Sequence, residues 1–402
     1  MTGYMLKRLY WGIGLSGLLA LLASGTPIRL LAQFATSDRI SQPGFWPTQK
    51  IYPRDSYAGP RACANCHAQI SNEAAQTAMA HTAMLIDQSD ILKANPNLSF
   101  DHGSYHYEIR TSDGKTVYTV THGAEQKSAR LAWAFGTNLV AQSWLFHSPD
   151  GQIDEVRVTY FLSLHGLGFT PGREVDDPED IDEAMYREVG RAEVYKCFSC
   201  HTTASGMGSS FDEARLISGV TCEACHGPGR AHIDTMDNLA PAADGELPKE
   251  NTDDAIFDPG KLTPEESVDF CGSCHGSYWD ISLSGSTGVN NVRFQPYRLE
   301  ESRCWNKDDS RLTCIACHDP HKRLDTTAAD YDHVCLSCHL TKMATMQKAA
   351  AHKDSEHPGA ACPVATKDCT TCHMPEVYVP AMHRSFPDHR IRIAREGEPF
   401  PD

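Results

Sequence analysis

Hydrophobic and polar positions change rhythm several times along these 402 residues, and the changes divide the chain. Behind Lys7 and Arg8, the stretch from about Leu9 to Ala23 is apolar and free of charge, and small residues follow at Ala23-Ser24-Gly25. A basic start, an apolar centre and a small-residue end are the parts of an export signal, with Ala32 as a second end point. The apolar stretch falls short of the roughly 20 residues a membrane span requires. Residues 1–32 are therefore expected to be a signal peptide or an uncleaved anchor. Residues 33–60 carry Pro, Gly, Ser and aromatics without periodicity and read as an extended lead-in.

Ala68 to Ile86 holds good helix formers and no Pro or Gly, which predicts one helix in a segment spanning 61–99. Between 100 and 175 the period shortens to two. Tyr105 to Ile109, the turn Ser112-Asp113-Gly114-Lys115 and Thr116 to Val120 read as strand, turn and strand. A second such unit runs from Gln142 through Ser148-Pro149-Asp150-Gly151 to Val156–Leu164. A small antiparallel β-module is the expectation. The acidic run Glu174 to Asp180 reads as a solvated linker, and Leu239 to Asp258 as a surface loop.

Across this patterning runs a repeat of another kind. Cys-x-x-Cys-His occurs seven times: Cys63, Cys66, His67; Cys197, Cys200, His201; Cys222, Cys225, His226; Cys271, Cys274, His275; Cys314, Cys317, His318; Cys335, Cys338, His339; and Cys369, Cys372, His373. A single Cys-x-x-Cys is compatible with a thioredoxin-like pair or half a zinc site. Neither requires a His directly after the second Cys, so the spacing reads as c-type haem attachment. Both thiols form thioethers to the porphyrin edge, and the His becomes the proximal iron ligand. Seven covalently attached haems are expected.

Fourteen of the sixteen cysteines are then accounted for, leaving Cys304 and Cys362, for which a disulfide is expected in an oxidising compartment. The net charge of −16 argues against a nucleic-acid partner. Loss of the leader would leave 33 basic against 52 acidic side chains, a net −19, which favours a basic redox partner.

Thirteen histidines remain for the second axial positions. On a continuous helix, His81 lies about 21 Å from His67, so it is expected to serve another haem, the alternative being a plain helix histidine. His165 ends a strand before Gly166. His232 and His321 follow motif histidines too closely to reach round to the opposite face of the same porphyrin, so each points to a neighbouring haem. His333, His352, His357, His383 and His389 complete the list, with one ligand expected in the tail that holds His383 and His389. His102, His106, His122 and His147 are expected at the surface. Met79, Met84, Met343, Met346 and Met382 are read as packing rather than as thioether ligands.

From Tyr195 to Pro375, six motifs share 181 residues. A domain of that length has a radius of gyration of about 16 Å, which leaves each haem a cell roughly 18 Å across. Neighbouring rings must then lie within tunnelling reach.

The His67…His81 opening, Cys222 to Gly229 with His232, Cys314 to His321, and Cys369 to Pro375 resemble the multihaem cytochrome c superfamily. That superfamily includes the tetrahaem cytochrome of ammonia oxidisers, pentahaem nitrite reductase and octahaem hydroxylamine oxidoreductase. The resemblance spans about 61–86 and 195–390 and leaves out the β-module. It implies a mainly α fold with long loops around a haem-packed core, here over 176–402. All seven motifs end in His, whereas nitrite reductases place Lys at the active haem. The resemblance and the ligand supply together favour an exported periplasmic electron carrier, working with a redox protein or a membrane electron-transfer complex. The alternative is an oxidoreductase with one five-coordinate haem acting on nitrite, hydroxylamine or sulfite. A structural subunit of a haem filament or membrane complex is a third reading.

Overall fold

The computed structural model describes residues 46–401 apart from 49, 138, 173–176, 206–211, 240–254 and 340–361. The expected leader, the first three residues of the acidic run, most of the 239–258 loop, His352, His357, Met343 and Met346 lie outside the described residues. The described residues belong to one compact unit.

The largest element is a curled antiparallel sheet of ten strands, which corrects the expectation of a mainly α fold. The strands are β1 Ala83–Leu85, β2 Asn97–His102, β3 Tyr105–Ser112, β4 Lys115–His122, β5 Glu125–Gly136, β6 Ala141–His147, β7 Ile153–Val156, β8 Val158–Phe161, β9 Gly166–Phe169 and β10 Tyr186–Arg187. They run in the order β10-β7-β6-β5-β4-β3-β2, with β1 on β5 and β8 joining β6 to β9. Asp113 and Gly114 both take positive φ, so the β3–β4 connection is the tight turn that an Asp-Gly pair favours.

Two rhythms in one sheet explain what the patterning caught and what it did not. In β3 and β4 every second residue is buried, including Tyr105, Tyr107, Ile109, Tyr118 and Val120. β5 opens Glu-Gln-Lys-Ser-Ala-Arg, a run of good helix formers, yet it is the longest strand. Pairing to β4, β6 and β1 overrides local preference there. The same pairing shortens the helix expected over Ala68 to Ile86. It stops at Ala74, and Ala83–Leu85 crosses to pair with Trp133–Phe135. The 21 Å separation assigned to His67 and His81 therefore has no continuous helix beneath it.

Inside the curl lie Tyr107, Tyr118, Trp144, Val158 and Phe169, closed off by the short helices Asp90–Ala94 and Ile181–Met185. A second cluster joins Trp133 and Leu145 to Val194 and Phe198 of the helix Arg191–His201. The Phe198 ring meets Trp133 and Phe135 edge-on, with centroids 5.2 and 4.9 Å away. The sheet is thus the platform on which the second motif stands.

The rest of the unit consists of short helices and two hairpins, β11–β12 (Thr202–Thr203 with Ile217–Ser218) and β13–β14 (Glu376–Val379 with Arg384–Pro387). Its one apolar cluster among the described residues has Val292, Val379 and Met382 as its buried members. Trp46, Tyr57, Val268, Phe270, Ile281 and Tyr297 are buried elsewhere in it, so its apolar burial is scattered rather than gathered into one large core.

Candidate haem-binding site

Each motif occupies about one helical turn. Cys63 O accepts from His67 N at 2.8 Å, and Cys314 O from His318 N at the same distance. That bond sets the first Cys and the His on one side of the turn, with the second Cys beside them. The other motifs end the helices Arg191–His201, Cys222–His226, Pro264–His275, Asp332–His339 and Cys369–His373. Pro264–His275 starts with a full capping box, Thr263 and Glu266 satisfying each other's backbone N–H. It is terminated at Gly276, whose φ of +80° suits only glycine and whose missing side chain leaves room for the Phe294 ring.

Three motif histidines are clasped by remote segments in a repeated way. His226 Nδ1 donates to Phe257 O at 3.0 Å, while Phe257 N donates to His226 O. His373 Nδ1 donates to Arg392 O at 2.9 Å, and Arg392 N returns a bond to His373 O. His201 Nδ1 donates to Thr82 O at 3.2 Å, and the Thr82 hydroxyl donates to His201 O. A carbonyl partner requires the proton on Nδ1, which leaves the Nε2 lone pair free for a metal. Burial lowers His201 and His275 further, so both are neutral at neutral pH, as a metal ligand must be. His275 nevertheless keeps much of its own surface uncovered.

Opposite three motif rings stands another imidazole. His67 and His232 lie with near-parallel rings and centroids 6.5 Å apart, His226 and His321 likewise at 6.0 Å, and His318 and His389 with rings tilted by 46° at 6.3 Å. Two imidazoles on one iron, each nitrogen about 2 Å from the metal and about 1.2 Å from its ring centre, place the centroids about 6.3 Å apart. All three pairs match that spacing. In each, the second ring comes from beyond the motif that supplies the first. His389 also donates through Nδ1, to Pro387 O, and burial together with the neighbouring His318 brings it down to about 4. His232 is lowered by burial and by His67.

The remaining candidates are placed otherwise. His81 is exposed and bonds Ala75 O through Nε2, the nitrogen a haem ligand would use. His165 is exposed in a left-handed conformation at the start of β9. His383, in the same conformation before β14, packs edge-on against Phe161, with centroids 4.6 Å apart. In the tail it is His389, not His383, that faces a motif ring. His333 donates through Nδ1 to Asp330 O and keeps Nε2 free.

The motifs also meet through their thiols. Cys63 hydrogen-bonds Cys222, which pulls Cys222 down to about 7 and pushes Cys63 up. Cys200 pairs likewise with Cys274, Cys271 with Cys314, and Cys335 with Cys369. Cys304 and Cys362 are separate thiols rather than the disulfide expected. Cys304 is half-buried beside Cys335 and Cys338 and pushed up to about 11, chiefly by burial, whereas Cys362 is exposed.

Two acidic side chains missing from the sequence-based candidates hold motifs together. Glu223, inside the third motif and almost fully buried, accepts from Ala58 N, Gly59 N and Gly229 N at 2.7, 2.8 and 2.7 Å. It ties the entry of the first attachment helix to the turn that leads to His232. Its trace in the sequence is that it alone is charged among the fourteen residues between motif cysteines. Asp332 does the same for the last two motifs, accepting from Asp368 N and Cys369 N at 2.7 and 2.8 Å.

Ring spacing, tautomer, thiol placement and scattered apolar burial all fit covalently bound haem. Residues 173–227, which hold the second and third motifs, match the family model described as cytochrome c554 and c-prime. The chain is also similar to the multiheme cytochrome MtrA of Shewanella baltica (strain OS185), 26% identical over 192 residues, covering 44% of this chain and 45% of that protein. It therefore spans less than half the length of that curated relative. No solved structure matches. Among the described residues no helix is long and apolar enough to cross a membrane.

Proposed function

We propose that the chain is a multihaem c-type cytochrome that carries electrons outside the cytoplasm, with one haem at each of its seven Cys-x-x-Cys-His helices. The observation that carries this reading is the set of imidazole pairs His67/His232, His226/His321 and His318/His389, each spaced as on a single six-coordinate iron. When bound, the haems supply reversible one-electron chemistry at iron. The protein's own part is to hold six-coordinate geometry, which leaves no open position at those three sites for a substrate. Predominantly nitrogen ligation keeps potentials below those of His/Met cytochromes. Residues 7–32 support export, and the acidic surface supports a basic redox protein or membrane-complex subunit as partner.

Spin states test this reading. EPR and resonance Raman of the matured protein are expected to be dominated by low-spin iron, with the His67, His226 and His318 sites all low-spin. A high-spin site that binds nitrite, hydroxylamine or sulfite would instead support the oxidoreductase.

A further inference from the structure

We propose that the motif Cys271–His275 is a three-way junction, so that the haem at Cys197 and Cys200 is a side branch and the other six haems form a single row. This rests on the reading that every motif holds a haem.

The helix Pro264–His275 packs against both Arg191–His201 and Cys314–Cys317. Its two thiols, three residues apart, serve different neighbours. Cys274 contacts Cys200, and Cys200 Sγ also donates to the neighbouring Ser273 O at 3.8 Å. Cys271 contacts Cys314. On the third side, Phe257, whose backbone clasps His226, sets its ring 5.8 Å from that of Phe270, the residue before Cys271, and so brings the Cys222–His226 motif beside the same helix. A thioether sulfur sits at the porphyrin rim, so thiols of two motifs in contact bring two rims together. Three motifs therefore border the rim at Cys271 and Cys274.

The row continues in both directions. Cys222 reaches Cys63 on one side, reinforced by Glu223 and by the His67/His232 pair. On the other, the His318 ring lies 5.4 Å from that of Tyr331, which leads into the helix Asp332–His339, and Asp332 of that helix accepts from Cys369 N at 2.8 Å. The second site has a different far wall. Its helix stands on the sheet, and the Phe135 ring lies 5.3 Å from the His201 ring. Side chains of β5 and β6, not another motif, cover that side. The branch ends there, and the row keeps the order of the sequence with the second motif alone set aside.

A crystal structure of the matured protein tests this directly. The three irons nearest to that of His275 should be those of His201, His226 and His318, and the His201 iron should have His275's as its nearest neighbour. The inference is overturned if the His201 iron lies nearer to any other. A second measurement is the variant His275→Met, whose thioether raises the potential of that haem. Spectroelectrochemical titration should show midpoint shifts at three of the other haems and none at the remaining three. Shifts at any other number contradict the junction. Should that variant fail to mature, the iron positions still decide. Seven haems in a different order would sink only the junction; fewer than seven would sink the reading beneath it.

Discussion

Within Cys222-Glu223-Ala224-Cys225-His226, the glutamate connects two attachment helices that lie far apart in sequence. Its carboxylate closes three backbone N–H groups from two segments, and a buried N–H left without an acceptor costs about 1–3 kcal/mol. Glu223→Ala should therefore destabilise the protein by at least about 3 kcal/mol, read as a lower denaturation midpoint, while Glu223→Gln keeps acceptors and should lose less. Exchange of ligands between motifs can be tested at the same scale. His321 stands three residues after His318 but faces His226, and His318 faces His389. The double variant His321→Ala/His389→Ala should open two irons, giving twice the high-spin intensity of either single variant in resonance Raman. If both histidines served one iron, the double variant would show no more than a single one.

Among the elements, those specified by spacing alone were legible in the sequence. Cys-x-x-Cys-His is local chemistry, and the alternation of Tyr105 to Ile109 and Thr116 to Val120 around Asp113-Gly114 marks β3 and β4 because one face must be buried. A short link also restricts where an imidazole can go, and the structure sets His232 beside His67 and His321 beside His226. Elements decided by distant partners were not legible. The opening of β5 carries no alternation and becomes a strand only against β4, and Thr82 to Leu85 leaves its helix to pair with β5 and clasp His201. Glu223 and Asp332 look like solvated acids until the backbone they serve is folded around them.

The choice between His383 and His389 depends on one such distant contact. Arg298 of the helix Gln295–Glu300 grips Asp388 through Nε and Nη2 at 2.9 and 3.0 Å, both side chains fully buried, and so aims His389 at His318. Burial pushes the Asp388 carboxyl up, but Arg298, the Arg390 N–H and Arg392 outweigh it and hold it below the ordinary value. A carboxyl lowered in the fold favours the folded state above its unfolded value of about 3.9 and loses that contribution as pH falls. Acid should release the tail, with the His318 site turning high-spin below about pH 4. Asp388→Asn, which removes the titrating group, should flatten that transition and lower stability at neutral pH, since breaking a buried pair costs about 3–5 kcal/mol. An unchanged acid transition in Asp388→Asn would assign it to other carboxylates.

At the scale of the whole molecule, two principles of cohesion share one unit. The sheet is held by its own apolar core, whereas the motif-rich remainder has Val292, Val379 and Met382 as the buried members of its described apolar cluster and relies on clasps between segments. Crossed histidines, shared carboxylates and thiol contacts link each motif to others, so its folding and haem insertion should be coupled. The account stands most directly on the occupancy of those motifs. Peptide mass mapping of the matured protein should find a haem on every one of the seven Cys-x-x-Cys-His peptides and unmodified thiols at Cys304 and Cys362. Motif peptides recovered with free cysteines would contradict it.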